Sequence, residues 1–139
     1  MTLELLLIED NEGDVEMTRR ALRTAATECR VSVAGNGAQG LECLRREGRF
    51  AEAPRPDLIL LDINMPRMDG KMFLSEIKAD PAFKAIPVVM FTSSESPTDI
   101  RDCYERQASS YVVKPFEGAL YAETVREVVR FWGQIAKLP

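Results

Sequence analysis

Residues 58–70 read LILLDINMPRMDG. The four apolar residues from Leu58 to Leu61 predict a strand buried on both faces, because a strand wetted on one side alternates polar and apolar positions. The run ends at Asp62. Pro66 and the pair Asp69-Gly70 then mark a loop that passes into a helix. Taken alone, Asp62 has an ordinary explanation, since aspartate is common where strands stop. The other strand ends decide whether that explanation suffices.

Outward from this stretch the same punctuation repeats. Residues 3–8 form a second apolar run, and residues 13–27 set Val15, Ala21, Leu22 and Ala25 among charges, which predicts a helix. Residues 30–34 read as a short strand, and residues 38–47, with Leu41 and Leu44 at helical spacing, as a helix stopped by Gly48. The connection GRFAEAPRP holds two prolines and leads into the strand already quoted. Residues 71–79 carry an apolar stripe of Phe73, Leu74 and Ile77, and Asp80-Pro81 ends that helix. Pro87 opens the strand VVMF, the loop TSSESP follows with helix-capping side chains, and residues 100–107 form a charged helix. Residues 111–113 are a fifth strand before Lys114-Pro115, where a cis bond is one option, and a long last helix spans about residues 117–136. Five strands alternating with five helices predict an α/β fold with a doubly wound parallel sheet of flavodoxin-like order 2-1-3-4-5.

Composition bounds the function. A chain of 139 residues with 45% hydrophobic and 29% charged side chains suits one domain with a proper core and is too small for two. A net charge of -4 offers no electrostatic footprint for nucleic acid or an anionic membrane. Cys29, Cys43 and Cys103 are odd in number and widely spaced, so they read as core-filling thiols of a cytoplasmic protein rather than a disulfide framework or zinc site. The start MTLELLLIEDNEGD is too short in its apolar part for a signal peptide. The chain has no histidine, which removes the usual general base near neutral pH and leaves carboxylates, hydroxyls and lysine to carry any chemistry.

In open α/β sheets ligands bind beyond the carboxyl ends of the strands. Those positions hold Glu9 and Asp10 after the first strand, Asp62 after the third, Thr92 at the fourth and Lys114 after the fifth. With the first and third strands adjacent, three carboxylates share one pocket. Close like charges repel, so the cluster needs a compensating cation. Oxygen ligands without sulfur or imidazole suit Mg²⁺ or Mn²⁺. Asp62 is then a carboxylate nucleophile for a phosphoryl group, with Thr92 and Lys114 meeting its oxygens. Each position has a plainer reading, Glu9-Asp10 as a solvated turn with Asp14 as helix cap, Thr92 as a loop hydroxyl, Lys114 as a surface lysine. Their coincidence at four strand ends favours the functional one.

These residues resemble the receiver domain of bacterial two-component response regulators along essentially the whole chain. The acidic pair falls on Glu9 and Asp10 in LLLIEDN, the phosphoacceptor on Asp62, the switch hydroxyl on Thr92 in VVMFTSS, the lysine on Lys114 in YVVKPF, and the aromatic switch on Tyr111. The resemblance implies a sensor histidine kinase as phosphoryl donor, Mg²⁺ bound with help from the Asn64 backbone carbonyl, and Ser93 beside Thr92 at the phosphoryl group. It implies further that Tyr111 turns inward after phosphorylation. Glu9 stands where aspartate is frequent in the family, and its extra methylene alters its reach to the metal. Asn64 and Ser94 fall where receivers vary. The stretches REGRFAEAPRPDL, IKADPAFKAIPVV and FWGQIAKLP look like stand-alone receivers paired with phytochrome-type histidine kinases.

The last helix predicts a partner surface. At about 100° per residue its apolar side chains spread over about 180°, wider than the roughly 100° needed to cover a core. Tyr121, Val125, Val128, Phe131 and Trp132 are the expected contact residues, and a second copy of the chain the expected occupant. Two related chemistries fit less well. A haloacid-dehalogenase-type phosphohydrolase needs a second aspartate at the place of Asn64, and a flavodoxin-like cofactor carrier needs a phosphate loop where this chain has EDNEGD. A receiver-like interaction or dimerisation module that works without phosphorylation is the remaining alternative.

Overall fold

The structure, a computed structural model, describes residues 2–139. Strands β1 (Leu3–Ile8), β2 (Cys29–Ala34), β3 (Leu58–Leu61), β4 (Val88–Thr92) and β5 (Ser110–Val113) alternate with helices α1 (Glu12–Arg23), α2 (Gly37–Arg45), α3 (Gly70–Ala79), α4 (Pro97–Glu105) and α5 (Gly118–Arg130). All strand pairs are parallel, in the order β2-β1-β3-β4-β5. This is the doubly wound arrangement the sequence predicts.

The apolar runs of the central strands hide a period of two. Leu3, Leu5 and Leu7 of β1, Leu58 and Leu60 of β3, and Val89 and Phe91 of β4 pack with α1 and α5 on one face. Leu6, Ile8, Ile59, Leu61, Val88 and Met90 pack with α2 and α3 on the other. Both faces are covered, so no position of β3 is free to be polar. Asp62, one residue beyond, is the first that can face water.

Register sets the site. Ile8 pairs with Leu61, and the Asp62 amide donates to the Ile8 carbonyl at 3.1 Å, so Glu9 and Asp62 leave the sheet side by side. On the far edge the Lys114 amide donates to the Thr92 carbonyl at 2.8 Å. The β3–α3 loop is clamped by a bond from the Gly70 amide to the Ile63 carbonyl at 2.8 Å, and a Cβ at position 70 would stand 2.0 Å from the Asp62 carbonyl oxygen. Glycine is required there by this close approach. The Gly37 amide holds the loop from the other side, donating to the Met68 carbonyl at 2.9 Å.

Several expectations need correction. Helix α1 begins at Glu12, because Asn11 is the cap and accepts from the Asp14 amide; Asp14 lies inside the first turn, and the helix stops at Arg23 rather than residue 27. Helix α4 begins at Pro97, earlier than residue 100, since proline suits a first helical turn and Ser96 caps it. Among the described residues no peptide bond is cis, including that before Pro115. Cys43 and Cys103 are buried, whereas Cys29 is only half-buried at the start of an edge strand.

The last helix departs most. Regular α-helix ends at Arg130, and Phe131–Ile135 form a wider π-helical turn, whose Gly133 sits against the Thr27 side chain while Gln134 donates to the Thr27 hydroxyl at 2.8 Å. This end lies at the amino-terminal edge of the sheet. Tyr121 and Val125, expected at a partner surface, are 2% and 1% exposed and belong to the core with Val129. Spaced four residues apart, these three form the narrow stripe that packs on α1 and the sheet. Leu120 at 51% and Phe131 at 46% remain exposed, with Val128 and Trp132 half-buried beside them.

Candidate functional site

The carboxyl ends of β1, β3, β4 and β5 bring the predicted residues together. Oxygens of Glu9, Asp10 and Asp62 lie within 4.8 Å of one another. Glu9 is 3% exposed, Asp62 partly buried and Asp10 open to solvent. Lys114 bridges the cluster: its Nζ donates to Glu9, to Asp14 Oδ2 at 2.8 Å and to Asp62 Oδ2 at 3.2 Å. The other Asp62 oxygen accepts from the Ile63 amide at 2.7 Å, which fixes the plane of its carboxylate.

Electrostatics follow from this crowding. Burial pushes the Glu9 carboxyl up to about 7, the Lys114 hydrogen bond opposes that, and the charge of Asp62 adds to it. Burial would lower the Lys114 pKa, but its bonds to Asp14 and Glu9 and the charges of Glu9 and Asp62 outweigh burial and hold it above the usual lysine range. One ammonium therefore faces four carboxylates, counting Asp10, and the site keeps an excess of negative charge that a divalent cation would neutralise. The donor set is entirely oxygen and fits a hard cation.

On the β4 side Thr92 is fully buried as a residue, and its Oγ1 lies 3.4 Å from the Ser94 amide. Ser93 points to solvent, while Ser94 carries the local contacts. Its Oγ donates to Asp99 Oδ2 at 2.6 Å, and its carbonyl accepts from the Tyr111 hydroxyl at 2.9 Å. Asp99 in turn meets Lys71 Nζ at 2.7 Å, which also reaches Asp102 at 3.0 Å. Lys71, then Ser94, hold the Asp99 carboxyl below the usual carboxylate range. Tyr111 already packs partly against the core, so the aromatic ring, the loop after β4 and helix α4 form one connected unit. Asn64 is exposed on the β3–α3 loop.

Sequence reasoning missed Asp14, taken only as a cap, and the chain Ser94–Asp99–Lys71. Asp14 had a readable signal, since the third residue of a helix starting at Glu12 faces back toward the strand ends. Lys71 and Asp99 lie on separate helices, and no local pattern links them.

Comparison with known proteins agrees with this geometry. The family model of the response regulator receiver domain matches residues 5–126. Response regulator Rcp1 of Synechocystis sp. is 33% identical over 135 residues, covering 97% of this chain and 92% of Rcp1. The crystal structure of the phosphorylated cyanobacterial phytochrome response regulator RcpA superposes with a TM-score of 0.94 at 36% identity, covering 100% of this chain and 99% of that one. The Mn²⁺-bound form of Rcp1 gives a TM-score of 0.91 at 32% identity, with 99% of both chains covered. A sheet with its polar residues gathered at one end, a family match over most of the sequence and relatives aligned nearly end to end place this chain in the response regulator receiver domain family.

Proposed function

We propose that the chain is a phosphoryl-accepting switch in a two-component relay, in which Asp62 takes a phosphoryl group from the phosphohistidine of a sensor histidine kinase. The observation that carries this is Lys114, whose ammonium spans Glu9, Asp14 and Asp62 at the mouth of the sheet. A carboxylate oxygen of Asp62 forms the bond to phosphorus as the phosphorus–nitrogen bond of the donor breaks. Glu9, Asp10, Asp62 and the backbone carbonyl of Asn64 would hold Mg²⁺ or Mn²⁺, which when bound neutralises charge on the transferred group. Lys114 meets one phosphoryl oxygen and Thr92 donates to another, while Ser93 stands at the rim of the loop.

Movement of Thr92 toward the phosphoryl group pulls on Ser94, to which its hydroxyl is already close, and so on the Tyr111 hydroxyl and α4. This is how a local charge would reach a distant surface. The protein acts as acceptor and slow self-hydrolyst, without a separate turnover substrate, and serves in the cytoplasm. The likeness to Rcp1 and RcpA supports a phytochrome-type kinase as donor. The exposed side chains of Leu120 and Phe131, with half-buried Val128 and Trp132 beside them, support a homodimer through the outer face of α5, Tyr121 and Val125 being withdrawn into the core.

Intact mass after incubation with acetyl phosphate and Mg²⁺ tests the first step. A gain of about 80 Da in the wild type, absent in Asp62→Asn and with EDTA, is expected for an acyl phosphate. An equal gain in Asp62→Asn would overturn the assignment.

A further inference from the structure

Lys114 is held by more than the phosphoacceptor requires. An ammonium has three N–H donors, and here each meets a different carboxylate. Glu9 and Asp62 belong to the group of oxygens gathered within 4.8 Å; Asp14 does not. When Glu9 and Asp62 turn toward a cation, Lys114 loses two partners and is itself repelled by the added charge. The Asp14 carboxylate is the partner that remains.

Asp14 is built to stay in place. Its amide donates to the Asn11 side chain at 2.9 Å, and its carbonyl accepts from the Tyr121 hydroxyl at 3.2 Å. Tyr121 is buried, contacts the Thr18 hydroxyl at 3.0 Å and packs its ring 5.1 Å from that of Phe91 on β4. Residue 14 is thus fixed from α1 and α5, at the third position of α1, where a negative charge also suits the helix amino terminus.

Building on the assignment of Asp62 as phosphoacceptor, we propose that Asp14 is a positioning residue that tethers the Lys114 ammonium over Asp62 while Glu9 and Asp62 are engaged elsewhere. It touches neither phosphoryl group nor cation and acts through Lys114. Without it the ammonium leans onto Glu9 and Asp62 in the resting site, and withdraws when these are taken.

A double-mutant cycle tests the tether. The rate of Asp62 phosphorylation by acetyl phosphate at saturating Mg²⁺ is followed by intact mass in the wild type, Asp14→Ala, Asp14→Asn, Lys114→Met and the double variant Asp14→Ala/Lys114→Met. Misplacing the ammonium predicts a rate about tenfold lower in Asp14→Ala, and Asn, which keeps an oxygen acceptor in place, regains most of that loss. In the Lys114→Met background the Asp14→Ala change should alter the rate by less than about twofold, since the group it acts through is gone. In metal-free protein labelled with ¹³C at lysine Cε, the resonance lost in Lys114→Met should shift in Asp14→Ala. A wild-type rate in Asp14→Ala, an undiminished defect in the double variant, or an unmoved Lys114 resonance would each overturn the tether. A wild type that gains no mass would instead refute the phosphoacceptor assignment, and the metal-free resonance would still decide the tether.

Discussion

Glu9 shows how burial and charge compete at a single side chain. Its carboxyl is raised from an ordinary 4.5 to about 7, chiefly by burial. Between those values the folded chain binds more protons than the unfolded one, so this residue makes metal-free stability fall as pH rises through the window, and above it the cost is constant. Urea denaturation in EDTA, compared at about pH 5 and about pH 7.5, should show that decline in the wild type and a flatter profile in Glu9→Gln. A second residue carries strain with no charge involved. Arg67, in the β3–α3 loop, has φ of 67°, a left-handed conformation that glycine adopts freely. Arg67→Gly should raise stability by about 0.5 kcal/mol, the relief of the left-handed backbone exceeding the added flexibility of the unfolded chain, as read from the shift in urea midpoint. Asp62, Thr92 and Lys114 were legible because each follows an apolar run that must be a strand. Arg67 was not, since nothing local marks an arginine as left-handed, and the contacts of Ser94 with Asp99 and Tyr111 were not, because they join residues that no local pattern links.

Among the elements, strands were read most accurately. β1 and β3 have the predicted bounds because a fully buried strand admits no polar residue, and its ends are written in the sequence. Helix starts were read late where the cap was misassigned, as at Asn11, or left open within a loop, as at Ser96, because Asn, Ser and Asp all cap well and several crowd these loops. The π-helical turn after α5 left no mark in the apolar spacing. The β3–α3 connection makes the firmest prediction at this scale. A methyl group at position 70 would collide with the Asp62 carbonyl oxygen 2.0 Å away, and this is backbone that cannot swing aside. Gly70→Ala should cost about 3 kcal/mol by urea denaturation. It should also slow phosphorylation of Asp62 in the mass assay, because the loop and the nucleophile must shift together. A stable variant with a wild-type rate would show that the loop yields without moving Asp62.

For the whole molecule, the doubly wound order followed from the alternation of strands and helices, and with it the meeting of Glu9 and Asp62. The exposed apolar face of the last helix was only half legible. Angular spread counts apolar residues around a helix axis but cannot say which part of the arc the core consumes, and here the core takes Tyr121, Val125 and Val129. If the remaining face joins two copies, Leu120→Glu with Phe131→Glu should give a monomer by light scattering at concentrations where the wild type is a dimer. Thermal stability at low concentration should stay close to wild type, because both side chains are exposed in the single chain. A dimer unchanged by this pair would place the interface elsewhere.

The single tryptophan turns the shape of α5 into an optical property of the molecule. Trp132 follows the end of α5, its ring edge-on to that of Phe131 at 5.3 Å, near the edge of the sheet where Gln134 meets Thr27 and opposite the acidic pocket. Indole emission should therefore be nearly silent when a cation or phosphoryl group enters the pocket and should respond when the outer face of the helix is covered. Titrations of the wild type followed by this light would record association while missing the chemistry, and an apparent absence of quenching by Mn²⁺ would reflect where the chromophore stands rather than a failure to bind.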